Sequence, residues 1–236
     1  MKQPCVLCRG QGQRKFLMRG QRNQAKDSAK LKDSIAQMKV LLKEVNQAES
    51  IASLLGFEGK LAALYFGALP CLIHSNIPPQ LHFQGRNRRP PKDRFNSLLS
   101  FGYALLLKDV MNAILTVGLE PALGFYHQPR SQAAPLALDF MEIFRVPLVD
   151  MVVMTSINRG QWDVAADFEV RGEQVWLSET GRRKFIEVYS QRKGDSWKHP
   201  ITGYSLTYRR LFELEVRLLE KEWSGEAGLF GHLVVR

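Results

Sequence analysis

Residues 93–117 read DRFNSLLSFGYALLLKDVMNAILTV, and the spacing within them decides the fold class. Phe95, Leu98, Leu99, Leu105, Leu106, Val110 and Ile114 recur largely at steps of three and four over about seven turns, which predicts one long buried helix. Gly118 and Pro121 close it. On its N-terminal side, HSNIPPQLHFQGRNRRPPK (74–92) holds four prolines and a glycine beside Arg86, Arg88, Arg89 and Lys92, so it reads as a basic loop. Further upstream, Gln24–Leu55 reads as a single helix from the spacing of Ala25, Leu31, Ile35, Met38, Leu41, Leu42, Val45 and Ile51, with Gly56 as its terminator. A second helix is expected from Phe57 to Leu69, stopped by Pro70. Downstream, a turn-rich link over 124–135 leads to helices expected over 136–144, 149–157, 178–191 and 204–223. Only Glu173–Leu177 reads as a strand, too short to found a sheet. The expected architecture is an all-α helical bundle, one domain over 1–236 with residues 1–23 as an N-terminal arm or linker.

The composition narrows the partners. Thirty-three Lys and Arg against 23 Asp and Glu give a formal charge of +10 over 236 residues. Such an excess favours a polyanion, because each neutralised phosphate releases condensed counterions. A protein that is merely basic shares this balance, and an anionic membrane is the rival partner. The cations cluster in a Pro-rich loop rather than along one amphipathic face, which disfavours membrane docking. Leu54–Ile73 carries Glu58, Lys60, Gly67 and Pro70 and makes a poor bilayer span. Cys5 and Cys8 form a lone CxxC with no second ligand pair to complete a zinc site, so they read as free thiols of a reducing compartment. Met1–Arg9 lacks an apolar leader, and a soluble cytoplasmic protein is expected.

Three places carry residues suited to chemistry. Glu58, in GFEGKLAALYF (56–66), opens the predicted second helix; taken alone, it reads as a carboxylate favoured by the helix dipole. His127, in GLEPALGFYHQP (118–129), lies in a turn and alone reads as a structural histidine. Asp139 and Glu142, in APLALDFMEIFR (134–145), stand three apart on one helix face among Leu136, Leu138, Phe140, Met141, Ile143 and Phe144. Two carboxylates in so apolar a helix need compensating charge. Arg145 supplies it for one of them; a divalent cation would supply it for both. Carboxylates with one imidazole suit Mn²⁺ or Mg²⁺, an ion able to polarise a phosphodiester. Spacing alone leaves open whether these residues converge. Tyr65 and Tyr103, at helical spacing, read as core.

The strings FEGKLAALYF (57–66), RNRRPPKDRFNSLLSFGYALL (86–106), GLEPALGFYH (118–127), APLALDFMEIFR (134–145), VDMVVMTSINRGQ (149–161) and TGRRKFIEVY (180–189) resemble, in order and spacing, the signatures of the CRISPR-associated integrase family, the Cas-one proteins. The resemblance covers about Gln11 to the end of the chain. It implies an all-helical catalytic domain that inserts prespacer DNA into a repeat array by attack of a 3′-hydroxyl on a phosphodiester. It also implies Mn²⁺ or Mg²⁺ held by a glutamate, a histidine and a second carboxylate. Carried onto this sequence these are Glu58, His127 and Glu142, with Asp139 as a supporting catalytic acid. Some members carry Asp at the last position, and Glu142 ranks above Asp139 as the ligand.

By the same comparison Arg86, Arg88, Arg89, Lys92 and Arg94, with Asn87 and Asn96, are expected to hold DNA phosphates, where the residues alone leave a solvated charge run open. The implied partners are prespacer and repeat DNA and the small Cas-two protein. Full-length members begin with a small β-rich domain that makes a homodimer. Met1–Arg19 already resembles the family's linker and first helix, so neither that domain nor its dimer is expected from this chain. A non-catalytic DNA-binding module is the rival reading. It predicts salt-sensitive binding without cleavage, and the presence of all four acidic and imidazole residues argues against it.

Overall fold

In the computed structural model, which describes residues 2–23, 28–87, 89–127, 134–226 and 228–232, eight α-helices account for most of the described chain. They are α1 (Lys2–Asn23), α2 (Ala29–Val45), α3 (Ile51–Ala68), α4 (Arg94–Val117), α5 (Pro135–Met141), α6 (Met151–Asn158), α7 (Glu179–Gly194) and α8 (Tyr208–Trp223). Two antiparallel hairpins interrupt them: β1 (Phe168–Arg171) with β2 (Gln174–Leu177), and β3 (Ser196–Lys198) with β4 (Ser205–Thr207). Side chains set the helix starts. Ser28, Ser50, Asp93 and Ser178 accept from the backbone N–H groups of Leu31, Ser53, Asn96 and Gly181, opening α2, α3, α4 and α7. Gly118, at φ 94°, ends α4 in the left-handed conformation that glycine adopts without a Cβ clash. Pro147 has no N–H to give, and the chain widens into a single π turn over Val146–Asp150 before α6.

Helices α1, α2 and α3 pack on one another, while α4 runs through the middle against α5, α6, α7, α8 and β2. Phe95, Leu98, Leu99, Leu106, Val110 and Ile114 of α4 are fully buried, as the spacing in 93–117 requires. Each such side chain contributes about 1.5–3 kcal/mol by leaving water. By length and hydropathy alone Ile51–Leu72 and Arg94–Val117 reach the range of a bilayer span. In this fold the first commits Glu58 and Tyr65 to polar contacts within the protein, and the second supplies the core.

The structure corrects several sequence expectations. The helix expected over 24–55 is two helices: the chain leaves α2 after Val45 and Ser50 caps α3, so the apolar spacing persists across a turn. Residues 24–27 lie outside those described. Gly56 lies inside α3 and ends nothing; apart from its chain neighbours and the helix's own backbone, no atom stands within 4 Å of where its Cβ would be. The expected N-terminal arm is α1, with Cys5, Val6, Cys8, Phe16 and Leu17 buried. Beside the strand expected at 173–177, three more complete the two hairpins.

Candidate active site

Four elements deliver the site. Glu58 comes from the second turn of α3, Glu142 from the C-terminal end of α5, His127 from the loop after α4, and Arg9 from α1. Asp139 organises the loop. It is completely buried, and its Oδ2 accepts from the N–H groups of Phe125 and Tyr126 at 2.7 and 2.9 Å. Its Oδ1 accepts from the His127 N–H at 2.8 Å and from His127 Nδ1 at 2.5 Å. Three successive backbone donors and one ring therefore converge on a single carboxylate, which explains why an acid is tolerated in so apolar a helix. Gly124 allows the approach: a Cβ there would stand 2.4 Å from Pro135 Cβ and 3.1 Å from Asp139 Oδ2.

With Nδ1 donating to a carboxylate, the neutral His127 ring presents Nε2 as its lone-pair nitrogen, the arrangement common to metal-binding histidines. The hydrogen bond to Asp139 raises the His127 pKa above its usual value; burial opposes this, and the charges of Asp139, Glu142 and Glu58 add to it.

The two glutamates meet at Arg9. Arg9 is 5% exposed, and one nitrogen, Nη1, lies 2.5 Å from Glu58 Oε1 and 2.7 Å from Glu142 Oε2. Tyr126 donates its hydroxyl to the other Glu58 oxygen at 2.6 Å. Burial pushes the Glu58 pKa upward, but Arg9, the Tyr126 hydrogen bond, His127 and Arg145 outweigh it and leave it below the usual value. Arg145 lies 2.9 Å from Glu142 Oε1 through Nε and stacks its guanidinium over the Tyr103 ring at 4.8 Å. The contacts of Glu142 with the two arginines are Coulombic rather than directed: among the described residues no donor is aligned on Oε2, although it is buried.

Behind this lies a buried polar knot in which Tyr65 and Tyr103 donate to the two oxygens of Asp150 at 2.9 and 2.5 Å. Tyr65 is fully buried, as its helical spacing implies, whereas Tyr103 is only partly buried against the core.

The donor set suits a hard divalent cation: two carboxylates, one a buried oxygen with no aligned donor, and an imidazole oriented by a third. As the side chains stand, no group of three or more His, Cys, Asp or Glu among the described residues is close enough to ligate an ion, and Arg9 occupies the space between Glu58 and Glu142. Asp139 faces the backbone and His127, so both its oxygens are engaged.

The basic loop divides. Arg89 and Lys92 are exposed, with Lys92 reaching Glu173 at 3.2 Å. Arg86 donates to Asn96 at 2.7 Å and lies over Tyr103 at 5.5 Å. Arg94 donates to the Val164 carbonyl and lies over Phe168. Asn96, expected to hold phosphate, is wholly buried and corrects that expectation. It donates to the Gly85 carbonyl and to Asp93 and accepts from Arg86 and the Asn87 N–H, so it ties the loop to α4 and cannot reach DNA. Arg88 lies outside the described residues.

Sequence reasoning passed over Arg9, Tyr126 and Asp150. Asp150 had a usable signal, a lone acid inside VPLVDMVVM (146–154), the same pattern that singled out Asp139. Tyr126 stands next to a residue already selected, but nothing local marks it.

The profile of the family described as "CRISPR associated protein Cas1" matches residues 2–191. The chain belongs to the Cas1 family. A curated relative from Myxococcus xanthus (strain DK1622), "CRISPR-associated exonuclease Cas4/endonuclease Cas1 fusion", is 51% identical over 231 residues, which are 98% of this chain and 41% of that protein. The chain thus spans about two-fifths of that relative's length. Among solved structures, a chain of a "Cas6-RT-Cas1--Cas2 complex" superposes with a TM-score of 0.83 at 26% identity, covering 100% of this chain and 25% of that one. A chain of "Casposase bound to integration product" gives 0.79 at 25% identity, covering 98% and 61%. The mainly helical architecture is therefore one shared with Cas1-related structures.

Proposed function

We propose that this Cas1 chain is a metal-dependent DNA endonuclease and integrase, joining a prespacer 3′-hydroxyl to a phosphodiester of the CRISPR repeat. The observation that supports the reading is that one Arg9 nitrogen joins Glu58 to Glu142, while an Asp139-oriented His127 from a third element feels the charge of both glutamates. Relatives described as an endonuclease fusion and as a casposase on its integration product support it.

Glu58, His127 and Glu142 would hold Mn²⁺ or Mg²⁺, which when bound supplies a Lewis acid for the phosphodiester oxygen. The protein's own part is positional. Asp139 fixes the ring and tautomer of His127, Tyr126 fixes the rotamer of Glu58, and Arg145 neutralises Glu142. Exposed Arg89 and Lys92 would grip phosphates without reading bases. Cas2, named in the structural neighbour's complex, is the expected protein partner.

The test compares duplex donors ending in a 3′-hydroxyl and a 3′-deoxy sugar, incubated with a repeat-bearing target and Mn²⁺. Joining is expected with the hydroxyl alone. Alanine at Glu58, His127 or Glu142 should abolish joining while leaving DNA binding, read by fluorescence anisotropy, largely intact. Joining that persists in one of these variants contradicts that residue's role, and joining from the deoxy donor contradicts the chemistry.

A further inference from the structure

The position of Arg9 carries a consequence for how an ion enters. A single nitrogen of its guanidinium lies 2.5 Å from one glutamate oxygen and 2.7 Å from the other. A divalent ion ligated by both carboxylates needs contacts of about 2.0–2.6 Å to the same two oxygens. Nitrogen and ion therefore compete for one point in space.

The side chain is held there by necessity. It is nearly inaccessible to water, Glu142 is equally buried, and two facing carboxylates without a cation between them would repel in a medium of low dielectric. The charge has a second place to go. Asp150 lies just behind the site: Tyr103 donates to it and carries over its ring the guanidinium of Arg145, which pairs with Glu142, and the Asp150 charge also acts on Arg9. Asp150 is a buried carboxylate whose two oxygens face tyrosine hydroxyls, with no cation in direct contact among the described residues.

Resting on the metal-dependent reading of the site, we propose that Arg9 is a resident counter-ion occupying the divalent-cation position, and that metal binding exchanges it toward Asp150. Arg9 thus keeps the two glutamates together and compensated by the protein's own cation, and the first helix reports metal binding. Arg9 acts here as a positioning residue, since it sets the separation of the glutamates without touching the substrate.

Two measurements on the full chain test this. In the wild-type protein labelled with [¹⁵N]arginine, the Arg9 guanidinium resonance, assigned with Arg9→Lys, should shift as Mg²⁺ saturates the site, and should not shift in Glu142→Ala. By calorimetry, Arg9→Met should bind Mn²⁺ more tightly than wild type by about tenfold or more, the size of an ordinary coupling between two linked events. If Arg9→Met melts early without metal, Mn²⁺ should raise its melting temperature by more than it raises that of wild type.

An Arg9 resonance that stays fixed at Mg²⁺ saturation overturns the exchange. So does unchanged or weaker Mn²⁺ binding in a folded Arg9→Met, provided that Glu142→Ala abolishes binding; the metal site then stands without the exchange. Equal binding, or none, in wild type and Glu142→Ala removes the metal site itself and the proposal with it.

Discussion

At the residue scale, Asp139 and Asp150 are both buried carboxylates, yet their surroundings give them different work. Asp139 is saturated by three backbone N–H groups and the His127 ring, so its charge is spent on geometry. Asp139→Asn places a neutral amide against donors that need an anion, and an amide oxygen is a weaker acceptor for the imidazole. Metal affinity and strand joining should each fall by about 10–100-fold, the usual cost of losing a histidine's orienting partner; calorimetry with Mn²⁺ and a joining assay read the two, and unchanged values would show that His127 needs no such orientation. Asp150 is different. Burial raises its pKa, and the Tyr103 and Tyr65 hydrogen bonds, with the charges of Arg9 and Arg145, only partly pull it back. The folded state thus holds this proton more tightly than the unfolded state. Its contribution to stability is greatest below the ordinary carboxylate pKa and is lost as pH rises through the raised value. Asp150→Asn removes that titration, so its melting temperature should gain on wild type as pH rises through the window, and parallel curves for the two proteins would contradict the assignment.

At the scale of elements, the site depends on a segment remote from it in sequence. Phe230, buried beyond α8, sets its ring 6.0 Å from Phe125 and 5.4 Å from Phe140, the residues flanking the Asp139–His127 contact on both strands of chain. Its backbone N–H donates to Glu222, and the Gly231 N–H donates to Glu215, which His199 also meets at 2.8 Å. Phe230→Ala should cost about 3–5 kcal/mol of stability, measured by denaturant unfolding, and should lower joining as the His127 loop loosens; a loss below 1 kcal/mol, roughly the scale of a surface change, would remove the tail from the account. None of this is legible locally, because Phe230 lies in GLFGHL with no periodicity around it. The helices were legible wherever apolar spacing and a cap agreed, as in α4 with Asp93 and Gly118 or α7 with Ser178. The reading failed where spacing ran on through a turn, as at 46–50, and where a polar-rich helix such as α1 buries only one face. At the site, Glu58, His127, Asp139 and Glu142 could be named by resemblance, but Arg9 could not. A cation in CRGQGQRK looks solvated until folding brings two carboxylates to it from 49 and 133 residues away.

At the scale of the whole molecule, a charge of +10 must be divided between cations committed to the interior and those left for a polyanion. Arg9, Arg86, Arg94 and Arg145 are tied to internal acceptors or rings, whereas Arg89 and Lys92 are exposed. Alanine at Arg89 or Lys92 should weaken DNA binding evenly across sequences and lower the salt slope by about 1 each. Asn96→Ala should instead lower thermal stability, since it empties a buried knot of four hydrogen-bonding partners, and should leave that slope in place. A loss of slope in Asn96→Ala with stability intact would reverse the division. The proposed metal-dependent joining rests on Glu58, His127 and Glu142 acting together. Its most direct test is a strand-transfer assay on supercoiled DNA carrying a repeat, run in Mn²⁺, Mg²⁺ or EDTA, with the wild-type chain beside Glu142→Ala. Joined product is expected with either metal, none in EDTA and none from Glu142→Ala; equal product from both proteins, or product that survives EDTA, would overturn the proposed roles of Glu142 and the metal.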